Sequence, residues 1–122
     1  MDINLRHVGD VVVVDMDGRL VAGTGDLVLR QALNRVVADD ARKILLNLSE
    51  VDKIDSAGIG ELMAGVKLGS RFGCEVRLLN VKGQVLRILE LSMLLPLLNI
   101  HDDEQEAVAS FGDGGDGNPA GG

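Results

Sequence analysis

The sequence predicts a single α/β domain with a mostly parallel sheet of about five strands and with four helices. The first supporting observation is that short β-branched or aliphatic runs alternate with longer segments of helical hydrophobic period. The second is length, because 122 residues fit one domain and leave no room for two. The third is composition: 112–122 are rich in Gly and Asp, which predicts a disordered tail after a domain of residues 1–111.

Three strands and one helix are predicted in the first half of the chain. Four consecutive valines at 11–14 indicate a strand that is buried on both faces, and 3–7 would pair with it. Apolar residues recur at helical spacing in 26–40, which predicts the helix. The aliphatic run at 44–48 follows as a buried strand.

Two strands and three helices are predicted in the second half, again from short apolar runs and from helical spacing. In chain order they are a helix at 57–72, a strand at 76–79, a helix at 84–94, a strand at 98–101 and a helix at 103–111. Gly73 is placed to end the first of these helices, and Pro96 to stop the second.

Composition and charge exclude several classes of function. The net charge is −7 and the chain has no Trp or Tyr. A phosphate backbone repels such an acidic domain, and an aromatic platform for base stacking is absent, so nucleic acid is not an expected partner. Cys74 is the single cysteine, which excludes an internal disulfide and a multi-thiolate zinc site. No signal-peptide pattern or bilayer-length apolar stretch is present, so we expect a cytoplasmic protein with no membrane partner and no cofactor.

A first candidate for chemistry follows the run of valines. Val-Val-Val-Val-Asp-Met-Asp-Gly resembles the nucleophile motif of haloacid-dehalogenase-type phosphatases, in which Asp15 would attack phosphorus and Asp17 would act as acid and base near Mg²⁺. Arg19 stands where that motif has Thr or Val, and the chain is short for that fold. The alternative is structural, with the Asp residues at a turn or strand end. We therefore expect a protein that is not an enzyme and has no catalytic or metal-binding residues.

The second candidate site is the segment Ile-Asp-Ser-Ala-Gly-Ile-Gly, which lies between a buried strand and a glycine-rich helix. Asp55 or Ser56 is expected to start that helix, and the simplest role for either is to cap it. The functional alternative is that Ser56 accepts a phosphoryl group, which the positive end of the helix would favour. Gly58 and Gly60 are predicted to leave the backbone uncovered for a partner.

This segment resembles the signature of the STAS domain, found in bacterial anti-sigma-factor antagonists, stress-signalling scaffolds and the tails of anion transporters. The likeness covers about 1–111 and rests on the strand 44–48 followed by Ser49 and Val51-x-x-Ile54-Asp55-Ser56-Ala57-Gly58. Further matching features are Gly18-Arg19-Leu20 after an early strand and Ala107 in the last helix.

The resemblance implies a protein–protein switch. Ser56 matches the serine that an anti-sigma factor with serine kinase activity phosphorylates, and Asp55 matches the acidic residue beside it. In that family the unphosphorylated form binds the anti-sigma factor, and phosphorylation releases it. The expected contact residues are Asp55, Ala57, Gly58, Ile59 and Gly60. Val21 stands near a position that is often Asp, which leaves open an alternative in which the chain is a scaffold that is never phosphorylated.

One further segment is unusually apolar. Leu-Ser-Met-Leu-Leu-Pro-Leu-Leu, at 91–98, has apolar residues on more sides than one helix face can bury. We expect most of it to lie in the core. Its exposed remainder, with Met93 as the candidate, would form a patch for a partner or for a weak homodimer.

Overall fold

Five strands and four α-helices alternate along residues 1–111, which are the residues that the computed structural model describes. In chain order they are β1 (Asp2–Val8), β2 (Val11–Leu20), α1 (Gly25–Ala38), β3 (Lys43–Ile54), α2 (Ser56–Arg71), β4 (Glu75–Leu79), α3 (Gly83–Leu91), β5 (Ile100–His101) and α4 (Glu104–Ser110). A 3-10 turn, Leu95–Leu97, lies between α3 and β5. The predicted fold class is confirmed. The tail predicted at 112–122 lies outside the described residues.

The five strands form one sheet in the order β1-β2-β3-β4-β5. β1 pairs antiparallel with β2, whereas the pairs β2–β3, β3–β4 and β4–β5 are parallel. Each parallel pair is joined through a helix, as the alternating pattern predicts. The carboxyl ends of β2 and β3 therefore lie at the same edge of the sheet, next to the starts of α1 and α2.

The two faces of the sheet are covered unequally. On the first face, Val12 and Val14 belong to the main core, together with residues of α1, α2 and α3. On the second face, Val11 and Val13 belong to a smaller cluster to which α4 contributes Ala107. All four valines are buried, so the predicted coverage on both faces is confirmed. Cys74 is also buried.

β2 and β3 run further than the sequence predicts. β2 ends at Leu20 rather than at residue 14, and β3 ends at Ile54 rather than at residue 48. The extensions pair with each other, Leu20 opposite Ile54, and bury both side chains on the first face. Asp15 and Asp17 consequently lie inside a strand, so the expectation that they stand at a turn or strand end is wrong.

The third helix ends earlier than predicted. α3 stops at Leu91 because Met93 adopts the left-handed conformation, with φ at 58°, so the chain turns before Pro96 is reached. None of the residues 91–98 is fully buried. The expectation that most of this segment lies in the core is therefore wrong, whereas Met93 is exposed as predicted. Gly73, by contrast, follows the end of α2 with φ at 73°, as its predicted role requires.

No helix within residues 1–111 combines the length and the apolar character that crossing a bilayer requires.

Candidate functional site at the start of the second helix

Ser56 is the first residue of α2 and follows the carboxyl end of β3. Its side chain is exposed, and its hydroxyl forms no hydrogen bond with any other part of residues 1–111. Because α2 is 16 residues long, its first turn presents the positive end of an extended array of peptide dipoles. The hydroxyl is thus available to another molecule, in a position where negative charge is favoured.

Asp55 is the N-cap of α2. Its Oδ1 accepts a hydrogen bond from the backbone N–H of Gly58 at 3.0 Å, and its Oδ2 accepts one from the N–H of Ala22, also at 3.0 Å. Donation from Ala22, and next from Gly58, lowers the pKa of the Asp55 carboxyl below its ordinary value. The carboxylate therefore holds the loop after β2 against the start of α2. The capping role falls to Asp55, so Ser56 is not needed for it.

Two glycines allow α1 and α2 to start close to the end of β2. A Cβ on Gly58 would lie 1.9 Å from the carbonyl oxygen of Leu20, and a Cβ on Gly25 would lie 2.1 Å from that of Arg19. Both glycines are buried. The expectation that Gly58 leaves the backbone uncovered for a partner is therefore wrong, because β2 covers it. Gly60 does have open space around its Cα, and it is exposed.

Sequence analysis missed the part that Gly25 and Ala22 play in the site. The Ala22 contact joins residues that are 33 apart in the sequence, so no local pattern reveals it. The Gly25 contact is with Arg19, six residues earlier, and depends on how closely α1 packs against the end of β2. A glycine directly before the predicted start of α1 was a signal, but many helices begin in this way.

The remaining candidate contact residues lie beside Ser56, and their side chains are less exposed than that of Ser56. Asp55, Ala57 and Ile59 are half-buried, and Ile59 packs against the main core. Glu61, one turn later, forms an ion pair with Arg30 of α1 at 2.7 Å. The start of α2 is thus fixed by contacts with the loop after β2, with β2 itself and with α1. Ser56 and Gly60 remain exposed on its outer surface.

Asp15 is already engaged in the fold. Its carboxylate accepts hydrogen bonds from Arg6 Nε at 2.6 Å and from Asn47 Nδ2 at 2.7 Å, and the Arg6 bond is the main reason that the pKa of Asp15 lies below its ordinary value. Arg6 also pairs with Glu104, which ties β1 and β2 to α4. Asp17 is exposed on the same strand. Within residues 1–111, no group of three His, Cys, Asp or Glu side chains is placed to hold a metal ion.

A family model of the STAS domain matches residues 2–107. The chain belongs to the STAS domain family. This confirms the resemblance that rests on the Asp-Ser-Ala-Gly segment, and it assigns the sheet and its four helices to the STAS fold.

Known STAS proteins similar to this chain include anti-sigma factor antagonists. The anti-sigma F factor antagonist of Paenibacillus polymyxa is 29% identical over 111 residues, which cover 91% of this chain and 95% of the relative. A Thermotoga maritima protein, provisionally named an anti-sigma factor antagonist, is 27% identical, with a TM-score of 0.81 over 88% of this chain and 92% of that structure. The phosphorylated form of the Bacillus cell fate determinant SpoIIAA is 21% identical, with a TM-score of 0.68 over 89% of this chain and 98% of that one, and shows a shared fold.

Proposed function

We propose that this STAS domain is an anti-sigma-factor antagonist that binds an anti-sigma factor with serine kinase activity and is released when Ser56 is phosphorylated. The observation that carries the proposal is the exposed Ser56 hydroxyl at the start of α2, free of hydrogen bonds within residues 1–111. Similarity to the Paenibacillus polymyxa antagonist supports the class of partner.

Phosphorylation would act through charge. A phosphoryl group adds about −1.5 to −2 charge at neutral pH, and it would stand next to the ionised Asp55, four residues after the exposed Asp52. The helix N-terminus favours that charge while the domain is alone, so the fold tolerates the modification. A partner pressed against the same turn must desolvate the phosphate, and any acidic partner group is repelled. The modification therefore weakens the complex without unfolding the domain.

The domain would contribute the acceptor hydroxyl and a rigid surface, and the partner would contribute ATP, Mg²⁺ and catalysis. The half-buried Asp55, Ala57 and Ile59 shape that surface, and Gly60 lets the partner's backbone approach closely. The buried Gly58 lets α2 pack directly against Leu20 of β2, which keeps that surface in place. A partner that regulates transcription places this function in the cytoplasm.

The switch predicts that charge at Ser56 controls partner affinity independently of stability. Ser56→Asp should keep or slightly raise the free energy of unfolding, because the added carboxylate stands at the positive helix end. We expect Ser56→Asp to bind the anti-sigma factor at least tenfold more weakly than Ser56→Asn. Asn is the matched control because its side chain is neutral and has the same size as that of Asp. Dissociation constants by isothermal titration and unfolding curves for both variants measure the two effects.

A control places the same charge elsewhere on the same helix. Ser70 is exposed near the end of α2, about 21 Å from Ser56 along the helix axis. Ser70→Asp should bind the anti-sigma factor like the wild type. Equal affinities for Ser56→Asp and Ser56→Asn, together with no gain of phosphoryl mass at Ser56 after incubation with the kinase and ATP, would leave only a scaffold role.

We also expect no phosphatase activity from the isolated domain. Asp15 is held by Arg6 and Asn47 inside β2 and is not free to attack phosphorus. The measurement is turnover of a generic phosphomonoester with Mg²⁺, comparing the wild type with Asp15→Asn. Turnover above background that disappears in the variant would contradict the proposed function.

A further inference from the structure

The second face of the sheet carries exposed charges on the later parts of β2 and β3. α4 packs against the valines at the start of β2 on this face. Further along the same two strands, Asp17, Arg19, Glu50 and Lys53 are all exposed, and these four residues are called the charged face below. Parallel strands are usually covered on both faces of a sheet. The charged face is therefore a part of the sheet that another molecule can cover.

Strand alternation places the four side chains on the same side of the sheet. In β2, the buried Met16 and Leu20 belong to the main core on the first face, so Asp17 and Arg19 lie on the second face. In β3, the residues that pair with Asp17 and Arg19 each come directly before a residue of the main core. They too lie on the second face.

The charges form two rows that run across the strands. Asp17 lies opposite Glu50, and Asp2 of β1 extends this acidic row. Arg19 lies opposite Lys53 in a basic row, which is two residues or about 7 Å further along β2. Like charges placed opposite each other on neighbouring strands repel. None of these side chains forms an ion pair within residues 1–111, so the described fold does not neutralise either row.

Two such rows are complementary to a second copy of themselves. A two-fold axis that lies parallel to the sheet and across the strands, midway between the rows, reverses the strand direction of the second copy. Each strand then faces its own counterpart, which is a permitted arrangement for two packed sheets. Asp17 of one copy faces Arg19 of the other, and Glu50 faces Lys53, with the same two pairs repeated by symmetry. α1 and α2, which follow these strands, pack on the first face and leave this approach open.

We propose that the charged face is the interface of a symmetric homodimer. Charge complementarity identifies the occupant, because a second copy matches both rows, whereas a partner surface of one sign would be repelled by one of them. An interface of ion pairs without an apolar centre is weak, and we expect a dissociation constant on the order of 100 μM. The net charge of −7 on each copy opposes association at a distance. At about 0.1 M salt the Debye length is about 10 Å, so this repulsion is screened more than ion pairs in contact.

Sedimentation velocity on the full chain tests the proposal, at about 0.1 M salt and from about 10 μM to 1 mM so that the expected dissociation constant is bracketed. The wild type should shift from monomer to dimer across this range. The double variants Arg19→Glu/Lys53→Glu and Asp17→Lys/Glu50→Lys should each dimerise at least tenfold more weakly, because both rows then carry one sign. An equimolar mixture of the two variants should form a heterodimer at least as tight as the wild-type dimer, because every row again meets a row of opposite sign.

A matched control separates this surface from net charge. Arg35 and Lys67 are exposed on α1 and α2, in the helical layer on the first face. Arg35→Glu/Lys67→Glu changes the net charge by the same amount as Arg19→Glu/Lys53→Glu and should dimerise nearly like the wild type. Melting temperatures of all the variants show that each is folded.

Four results would overturn the proposal. They are a wild type that stays monomeric at about 1 mM, double variants that dimerise normally, a mixture of the two that does not associate, and a control that is weakened as much as the charged-face variants. Loss of anti-sigma factor binding in either charged-face variant, with self-association unchanged, would also overturn it, because the surface would then belong to that partner.

Discussion

Replacing Gly58 by Ala should lower the free energy of unfolding by about 3 kcal/mol. The added Cβ would lie 1.9 Å from the carbonyl oxygen of Leu20 and 2.9 Å from Cγ1 of Ile54. The nearer atom belongs to the backbone of β2, so no side-chain rotation relieves the clash. α2 must move away from β2, which also weakens the two hydrogen bonds that Asp55 accepts. Urea unfolding followed by circular dichroism measures the loss.

Gly60→Ala is the matched control, two residues further along the same helix. No atom lies within 4 Å of a Cβ built on Gly60, and its helical backbone suits any residue. Alanine should therefore raise the free energy of unfolding by up to about 1 kcal/mol, through helix propensity. Opposite signs for the two variants are the expected result. A loss of similar size in both would show that helix packing at Gly58 is not the cause.

The general architecture could be predicted because hydrophobic period is a local signal. Four consecutive valines require apolar neighbours on both faces of the sheet, and the structure provides them. The start of α2 could be placed within a residue for a similar reason, since Asp and Ser are residues that begin helices. The cap itself is a local contact, from the N–H of Gly58 to Asp55. The second hydrogen bond that Asp55 accepts comes from Ala22, thirty-three residues away, and could not be read from the segment alone.

The lengths of β2 and β3 were underestimated because one face of the sheet is only partly covered. α4 is short and lies over the valines, so the strand continues with polar residues on its second face. Asp15 and Asp17 alternate with Met16, and this period of two is itself the signature of a half-buried strand.

Leucine is usually buried, which is why the sequence predicts that most of the segment 91–98 lies in the core. The composition of a segment shows how apolar it is. Its burial depends on whether the neighbouring elements leave apolar surface for the segment to pack against. α3 already places Val85 and Leu89 in the main core, and the left-handed backbone of Met93 follows the end of the helix. The leucines that follow are consequently shared between the core and the surface.

The last prediction separates the two phenylalanines of the chain. Phe111 is 4% exposed and belongs to the cluster on the second face, with the Arg77 guanidinium 5.2 Å from its ring centre. Phe111→Ala should lower the free energy of unfolding by about 3 kcal/mol, because it opens a cavity between α4 and the sheet. Phe111→Leu keeps most of the volume and should cost less than about 1.5 kcal/mol.

Phe72 provides the comparison, since it is 56% exposed at the end of α2. Phe72→Ala should change the free energy of unfolding by no more than about 0.5 kcal/mol, as ordinary surface substitutions do. The contrast tests whether the small α4 is an integral part of the domain, because Phe111 stabilises the fold only while α4 is docked. If Phe111→Ala were as mild as Phe72→Ala, the second face of the sheet would have to be stable without its helix. The ion pair from Arg6 to Glu104 would then be the remaining attachment of α4 to β1, and it is too exposed to hold the helix by itself.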